Sequence, residues 1–330
     1  MAQSRVFTFT DPDAFQERVR ASQVAILTSS RGEFRANLTQ ITYDRLWMQW
    51  GFDSLARIAR SAIDPNRTVA MFLADPQQPA AQVGGNPMTS DSIVVHGRGS
   101  TNIVRTQGDH RWAALSLSHD DLAAAGEAIA GREVTCPSDT HLTMPTPATL
   151  AELRALHAQT IAIATTAPGT LAAPAVAKAM EQRIMRALIM SLTAGAPSER
   201  RWLPGQHARI VNRFLEFLEV TPDEPVYLAE ICTAIGASER TLRTCCQEVL
   251  GVGPLRYLWL RRMHLARRAL MHADASMTTV TEIATAHGFW ELGRFSVEYR
   301  GLFDESPSES LRRPGKKADI APRMARVGVD

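Results

Sequence analysis

Lysine is scarce in this chain: of its 36 basic residues only Lys178, Lys316 and Lys317 are Lys, and the other 33 are Arg. Net charge is scarce too, +2 over 330 residues, which excludes a polycation that coats nucleic acid. There are 4 cysteines (Cys136, Cys232, Cys245, Cys246), too few at this length for a disulfide framework, so a reducing cytoplasm is the expected location. No apolar run approaches the ~18 residues that span a bilayer, and the N-terminus lacks a signal-peptide core, so no membrane partner is expected. Neither disorder nor a fibrous repeat fits 45% apolar and 21% charged residues. At roughly 150 residues per domain the length suggests about two domains.

The first 145 residues read as short strands. Phe34, Ala36 and Leu38 alternate with Arg35, Asn37 and Thr39, the period of a half-buried strand. Residues 46–50, 70–73, 93–95, 102–104 and 112–117 are further strand candidates. Turn signals at 30–32, 64–66, 84–87 and 97–99 separate them. Short strands in series imply an antiparallel sandwich or small barrel. Residues 146–200 turn helical, with Leu150, Leu153, Leu156, Thr160 and Ala164 at helical spacing behind a Thr149 N-cap. A second helix opens at Pro174 with Val176, Met180, Ile184, Leu188 and Leu192 in one stripe. These stripes either pack within the chain or pair with a second copy in a homodimer. Residues 194–198 read as a linker, residues from Trp202 to about 314 as an all-α domain, and residues 315–330 as a basic tail.

The all-α domain contains an internal repeat. Glu230-Ile231-Cys232 is followed by Gly236, and Glu282-Ile283-Ala284 by Gly288, each Gly four residues after the small one. A small residue lets two helices approach, and Gly accepts the left-handed backbone that ends the first, so each unit predicts a helix-turn-helix. Further on, Cys246 precedes Pro254 by eight residues and Tyr299 precedes Pro307 by eight. Gly251 then corresponds to Asp304, both just past a helix, where Asp tolerates positive φ less well. Ser306, Pro307 and Glu309 supply an N-cap, a first-turn Pro and a capping-box Glu. Between the units, Leu255, Leu258, Met263, Ala266 and Leu270 stripe one helix, which from Pro254 to Met271 would span ~26 Å at about 1.5 Å per residue. A connector of that size suits two recognition helices set in successive major grooves, roughly 34 Å apart.

These residues resemble the DNA-binding domain of the AraC/XylS family of bacterial transcription regulators. The resemblance runs from about Leu228 to Arg313 and rests on residues 238–242, Gly251 with Pro254, Arg262-Met263 with Ala266, Ile283-Ala284, Gly288-Phe289, Phe295, Tyr299 and Pro307. The run 288–295 is most similar to the ethanolamine-operon-regulator branch. By analogy, such a domain follows a cupin-like domain that binds an effector and dimerises. The implied architecture is a two-domain α+β chain, a cupin-like β-barrel or sandwich followed by an all-α double helix-turn-helix domain. The implied partners are promoter or operator duplex DNA, a small-molecule effector, a second copy of the chain and, for an activator, RNA polymerase. Two other readings stay open: a constitutive dimeric regulator without an effector, and a cupin-type enzyme tethered to DNA.

The first recognition helix is expected from a Ser238 cap to about Leu250, with Leu242, Cys246 and Val249 facing inward. Glu239, Arg240, Thr241, Arg243, Thr244 and Gln247 then line or adjoin its outer face. Arg pairs bidentately with guanine and Gln with adenine, each worth ~1–3 kcal/mol of discrimination. The second, over about 291–302, offers Glu291, Leu292, Gly293, Arg294, Ser296 and Val297, with Arg300 toward phosphate. The family often carries a polar or basic residue where Val297 stands, so this half is expected to read by apolar contact or shape. It often carries Arg where Thr244 stands and usually Phe where Cys246 stands, so Cys245-Cys246 is read as core. The stretch 240–268 holds Arg240, Arg243, Arg256, Arg261, Arg262, Arg267 and Arg268 against Glu248 alone, a local concentration of charge in a near-neutral chain.

Little in residues 1–145 points to catalysis. His96, His110, His119 and His141 stand apart, without the paired His of a cupin metal site, so no metal or other cofactor is expected. No Ser stands in a strand-turn-helix elbow, and a methyl-transferring cysteine cluster would need more than Cys136 in this half. No enzymatic activity is expected. A barrel interior lined by Trp47, Trp50, Arg111 and Trp112 would hold a small organic ligand, the rings for stacking and Arg for an acid group; the alternative is that the aromatics are simply core.

Overall fold

A computed structural model describes residues 2–20, 22–193, 205–220 and 227–313. The expected linker at 194–198, Trp202, and the basic tail with Lys316 and Lys317 lie outside the described residues. The chain forms two compact units, residues 1–260 and 261–330.

The first unit begins β1 (Gln3–Phe9), α1 (Pro12–Gln16), β2 (Ser22–Thr28), β3 (Ala36–Thr42), β4 (Trp47–Asp53), β5 (Arg57–Ile63) and β6 (Arg67–Leu73). It continues through β7 (Ala81–Val83), β8 (Asn86–Met88), β9 (Ile93–Val95), β10 (Thr101–Arg105), β11 (His110–Ser118), α2 (His119–Ala130) and β12 (His141–Thr143). Helices α3 (Pro147–Thr166), α4 (Pro168–Ala172), α5 (Pro174–Thr193), α6 (Gln206–Val220), α7 (Leu228–Ile235) and α8 (Glu239–Val249) follow. Helix α9 (Pro254–His272) starts in this unit and ends in the next, which adds α10 (Val280–Ala286), α11 (Leu292–Phe303) and α12 (Pro307–Arg312).

The strands form two antiparallel sheets, ordered β1-β3-β4-β11-β6-β9-β12 and β2-β5-β10-β7-β8, and neither closes into a barrel. The inner strands β6, β9 and β11 are covered on both faces, which explains their near-continuous apolar runs, whereas β1 and β2 at the sheet edges keep exposed residues. Successive side chains alternate across each strand. Along β11, Trp112 and Ala114 enter the core between the sheets, while Ala113, Leu115 and Leu117 enter the core under α2, α3 and α5. Along β10, Val104 points between the sheets and Ile103 joins the apolar core of α6, α7 and α8, as Ile58 of β5 does. The first helix-turn-helix thus shares a core with the outer face of the smaller sheet. Burial of Ile58 and Ile103, each at most 3% exposed, contributes roughly 1.5–3 kcal/mol per side chain.

Several expectations need correction. Helix α2 interrupts the region read as β throughout; Ser118 caps it by accepting the Asp121 N–H. The cap of α3 is Thr146, not Thr149: Pro147 takes the first helical position and the Thr149 N–H donates to the Thr146 hydroxyl at 3.3 Å. Of the two readings of the α5 stripe, packing within the chain is seen, Met180, Ile184 and Leu188 being buried where α5 packs on α2 and α3. On α9, Leu255 is exposed and Leu258 half-buried, because Tyr257 takes the inward position and stacks edge-on against Phe214 of α6 at 5.7 Å. No helix among the described residues is long and apolar enough to cross a membrane.

Candidate nucleic-acid interface

Each helix-turn-helix is built by the same local hydrogen bonds. Ahead of α7, Glu230 Oε2 accepts the Tyr227 N–H at 3.1 Å; ahead of α10, Glu282 Oε2 accepts the Thr279 N–H at 2.8 Å. That is the work of the repeated Glu, a carboxylate satisfying an orphan donor at a helix start. At the other end the Ala237 N–H donates to Cys232 O at 3.0 Å and the Phe289 N–H to Ala284 O at 2.9 Å. Between them Gly236 and Gly288 take φ of +63° and +76°, the left-handed closure of a Schellman turn. The turn of the second unit is one residue longer, which is why the repeat offset changes from 52 before it to 53 after it.

Helix α8 begins at Ser238, whose hydroxyl accepts the Thr241 N–H at 3.1 Å. Leu242, Cys245, Cys246 and Val249 are all at most 1% exposed and pack on α6 with Phe214 and Leu215. Burial pushes the Cys246 thiol up to about 12, so it is an inert apolar group, as is its buried neighbour. The opposite face carries Glu239, Arg240, Arg243, Thr244 and Gln247, all exposed. Arg240, Arg243 and Gln247 fall at i, i+3 and i+7, one line along the helix. Thr244 Oγ1 donates back to Arg240 O, and Gln247 Nε2 to Gly251 O at 3.1 Å.

Helix α11 is anchored by Phe295 and Tyr299, both at most 1% exposed, in a chain of rings that runs Phe289, Phe295, Tyr299, Phe303. The Tyr299 hydroxyl pairs with Ser310 Oγ of α12 at 2.7 Å, and α12 opens on the expected Ser306–Glu309 capping box. Glu291, Gly293, Arg294, Ser296, Val297 and Arg300 are exposed. Leu292 is half-buried instead, because it shares the i, i+3, i+7 face of Phe295 and Tyr299. Trp290, which sequence reasoning passed over, is 77% exposed just before the helix. The Arg-rich stretch also loses a member: Arg267 is 5% exposed and donates to Glu305 Oε1 at 3.0 Å. Arg256 lies over Trp259 at 3.8 Å and Arg262 over Phe289 at 5.5 Å.

The proposed ligand residues do not converge. A cavity of about 80 Å³ lies between the sheets, and of the four only Trp112 lines it. Trp50 pairs with Ala113, and Arg111 with Phe52, so both side chains stand on the other face of the sheet. Trp47 sits at the strand end under the Arg67 guanidinium, 3.8 Å away. The polar lining instead includes Arg20, Gln49, Arg57, His96 and His110. Counting by twos from Trp112 would have found His110. Burial lowers His96 to about 4 and His110 to about 3, so both are neutral at pH 7. Arg57 donates to the fully buried Asp53 at 2.6 Å, while His96 Nδ1 and Trp112 Nε1 are buried without a hydrogen-bond partner. Among the described residues, no three His, Cys, Asp or Glu side chains cluster as metal ligands would.

Comparison with known proteins places the helical region. Residues 231–313 match the family described as "Helix-turn-helix domain". The chain is 41% identical over 110 residues to a probable thc operon regulatory protein of Rhodococcus erythropolis, covering 33% of this chain and 32% of the relative. It is 33% identical over 102 residues to XylDLEGF operon transcriptional activator 3 of Pseudomonas putida, covering 31% of each. The match therefore spans about a third of the length of these relatives. A solved structure of a probable AraC family transcriptional regulator from Rhodopseudomonas palustris is 31% identical, covering 32% of this chain and 97% of that one, with a TM-score of 0.30. Residues 231–313 are thus a helix-turn-helix domain similar to that of bacterial transcription regulators of the AraC/XylS family.

Proposed function

We propose that this chain is a sequence-specific DNA-binding transcription regulator that responds to a small-molecule effector. The observation that carries the reading is the outer face of α8, where Arg240, Arg243 and Gln247 line up in solvent on a helix held by a buried apolar face. The two Arg supply bidentate donors for guanine, and Gln247 can exchange its bond to Gly251 O for an adenine edge. Arg300 on α11 serves a phosphate. The β-rich module acts as the cupin-like effector holder, its cavity between the sheets offering Trp112 and His96 nitrogens that lack partners. The working form is a cytoplasmic homodimer, control is positive, as the word activator in the name of the Pseudomonas relative suggests, and RNA polymerase is the partner in that control. Effector binding shifts the population of DNA-competent states.

Binding of the full chain to a selected duplex tests this. Arg240→Ala or Arg243→Ala should weaken binding about 5- to 150-fold, the worth of ~1–3 kcal/mol, and relax preference at particular base pairs. Arg300→Ala should weaken all sequences alike and lower the salt slope by about one. Unchanged specific affinity in all three variants would overturn the reading.

A further inference from the structure

Nothing in the fold explains why residue 293 is glycine. It is the second residue of α11, with no positive φ, and a Cβ built there meets nothing within 4 Å, so neither backbone strain nor packing calls for Gly. One turn on, Val297 is 74% exposed. The polar groups alongside are engaged within the helix: Ser296 Oγ donates to Leu292 O at 3.0 Å, and Arg294 Nε to Glu298 Oε1 at 2.8 Å. The outer line of α11 is therefore a bare backbone at Gly293, two methyl groups at Val297 and the exposed Arg300. Such a helix can seat closer to a groove floor than one bearing long side chains, and the line from Gly293 to Val297 itself carries no hydrogen-bonding side chain. The feature it fits in a major groove is the C5-methyl of thymine, the apolar group on that edge.

We propose that α11 is a thymine-methyl reader: Gly293 lets the helix backbone approach the groove floor, and Val297 packs on the methyl of one or two thymines. This rests on the DNA-reading function proposed above, and it assigns the two units different chemistry. Helix α8 reads by hydrogen bonds from Arg240, Arg243 and Gln247, whereas α11 reads by apolar contact, with Arg300 at a phosphate to fix its register.

The test uses the full chain and a duplex enriched from random DNA, in which each thymine is replaced in turn by deoxyuridine, removing only the methyl. One or two positions should each lose about fourfold in affinity, the worth of one buried methyl-sized group. Val297→Ala should weaken binding to the thymine site and abolish the sensitivity to deoxyuridine. Gly293→Ala should raise Tm, since Ala is the better helix former, yet weaken binding, an opposition that a merely structural glycine would not give. The proposal is overturned if deoxyuridine is tolerated everywhere, if Val297→Ala keeps the same sensitivity, or if Gly293→Ala binds as tightly as the parent. Failure of the DNA reading itself looks different: no duplex is enriched at all. An enriched site that responds to Arg243→Ala but ignores deoxyuridine overturns the methyl reading alone.

Discussion

Asp304 holds φ +58° at the end of α11, and among the described residues it is the one non-glycine in that region of backbone space. An L side chain there costs roughly 1–2 kcal/mol, less for Asp than for most. Asp304→Gly should therefore stabilise the second unit by about 1 kcal/mol, read as a higher urea midpoint at unchanged m. Gly51 makes the opposite demand. A Cβ there would stand 2.2–2.5 Å from the Trp112 indole, which lies flat across the paired strand. Gly51→Ala should destabilise the sandwich by roughly 1–3 kcal/mol through overpacking, and Gly51→Ala with Trp112→Leu should recover most of that loss. The buried histidines set a pH dependence. His96 and His157 are lowered to about 4 and His110 to about 3, each chiefly by burial, against an ordinary value near 6.5. Between those values the unfolded chain binds more protons than the folded one, so stability is full above about pH 6.5 and falls as pH drops toward 4. His157 Nε2 sits 3.0 Å from Gln49 O; His157→Gln should flatten that fall in a urea titration against pH, and an unchanged slope would remove His157 from the account.

At the scale of elements, the first helix-turn-helix and the sandwich share buried surface. Ile58 and Ile103 join the core of α6, α7 and α8, and Arg60 forms an ion pair with Glu219. The carboxylate of that pair is largely exposed, so Arg60→Ala should cost under about 1 kcal/mol. Ile103→Ala, which opens a cavity, should cost about 2–5 kcal/mol. Sheet and helix signals should then move together in one transition, whereas separate midpoints for tryptophan fluorescence and helical circular dichroism would refute the shared core. The doubly covered inner strands decide what was legible in the sequence. Turns, caps and the helical repeat are written in short-range chemistry: Gly236 and Gly288, Ser238, Ser306 with Glu309, and the Gly251–Asp304 correspondence all sit where spacing puts them. The lining of the cavity was not legible. A strand such as Ile93-Val94-Val95 buries Ile93 and Val95 on one side and Val94 on the other, so the apolar run carries no sign of which face is which. Without register, Trp50 could not be separated from Trp112, although strand alternation alone sets Arg111, the neighbour of Trp112, on the opposite face. Long-range partners were equally hidden: Arg267 counts as surface charge until Glu305, 38 residues on, buries beside it.

For the whole molecule, a net charge of +2 is compatible with DNA reading because the cations that matter are few and placed. Arg240 and Arg243 stand on α8 and Arg300 on α11, while several acidic groups are taken up locally: Glu230 and Glu282 at helix starts, Glu309 in a capping box, Glu305 with Arg267. Sequence-independent attraction is then set by these few placed Arg side chains and falls with salt, so at physiological salt competitor DNA should displace the chain readily from random duplexes. Enrichment of random duplexes by the full chain in about 0.15 M salt, followed by sequencing, measures this outcome. Two helix-turn-helix motifs should yield two conserved blocks, the first G- or A-rich in its contacted positions and the second marked by thymine. A pool that stays random after repeated rounds, or a single block unaffected by Arg240→Ala and Arg243→Ala, would mean that these helices do not read DNA.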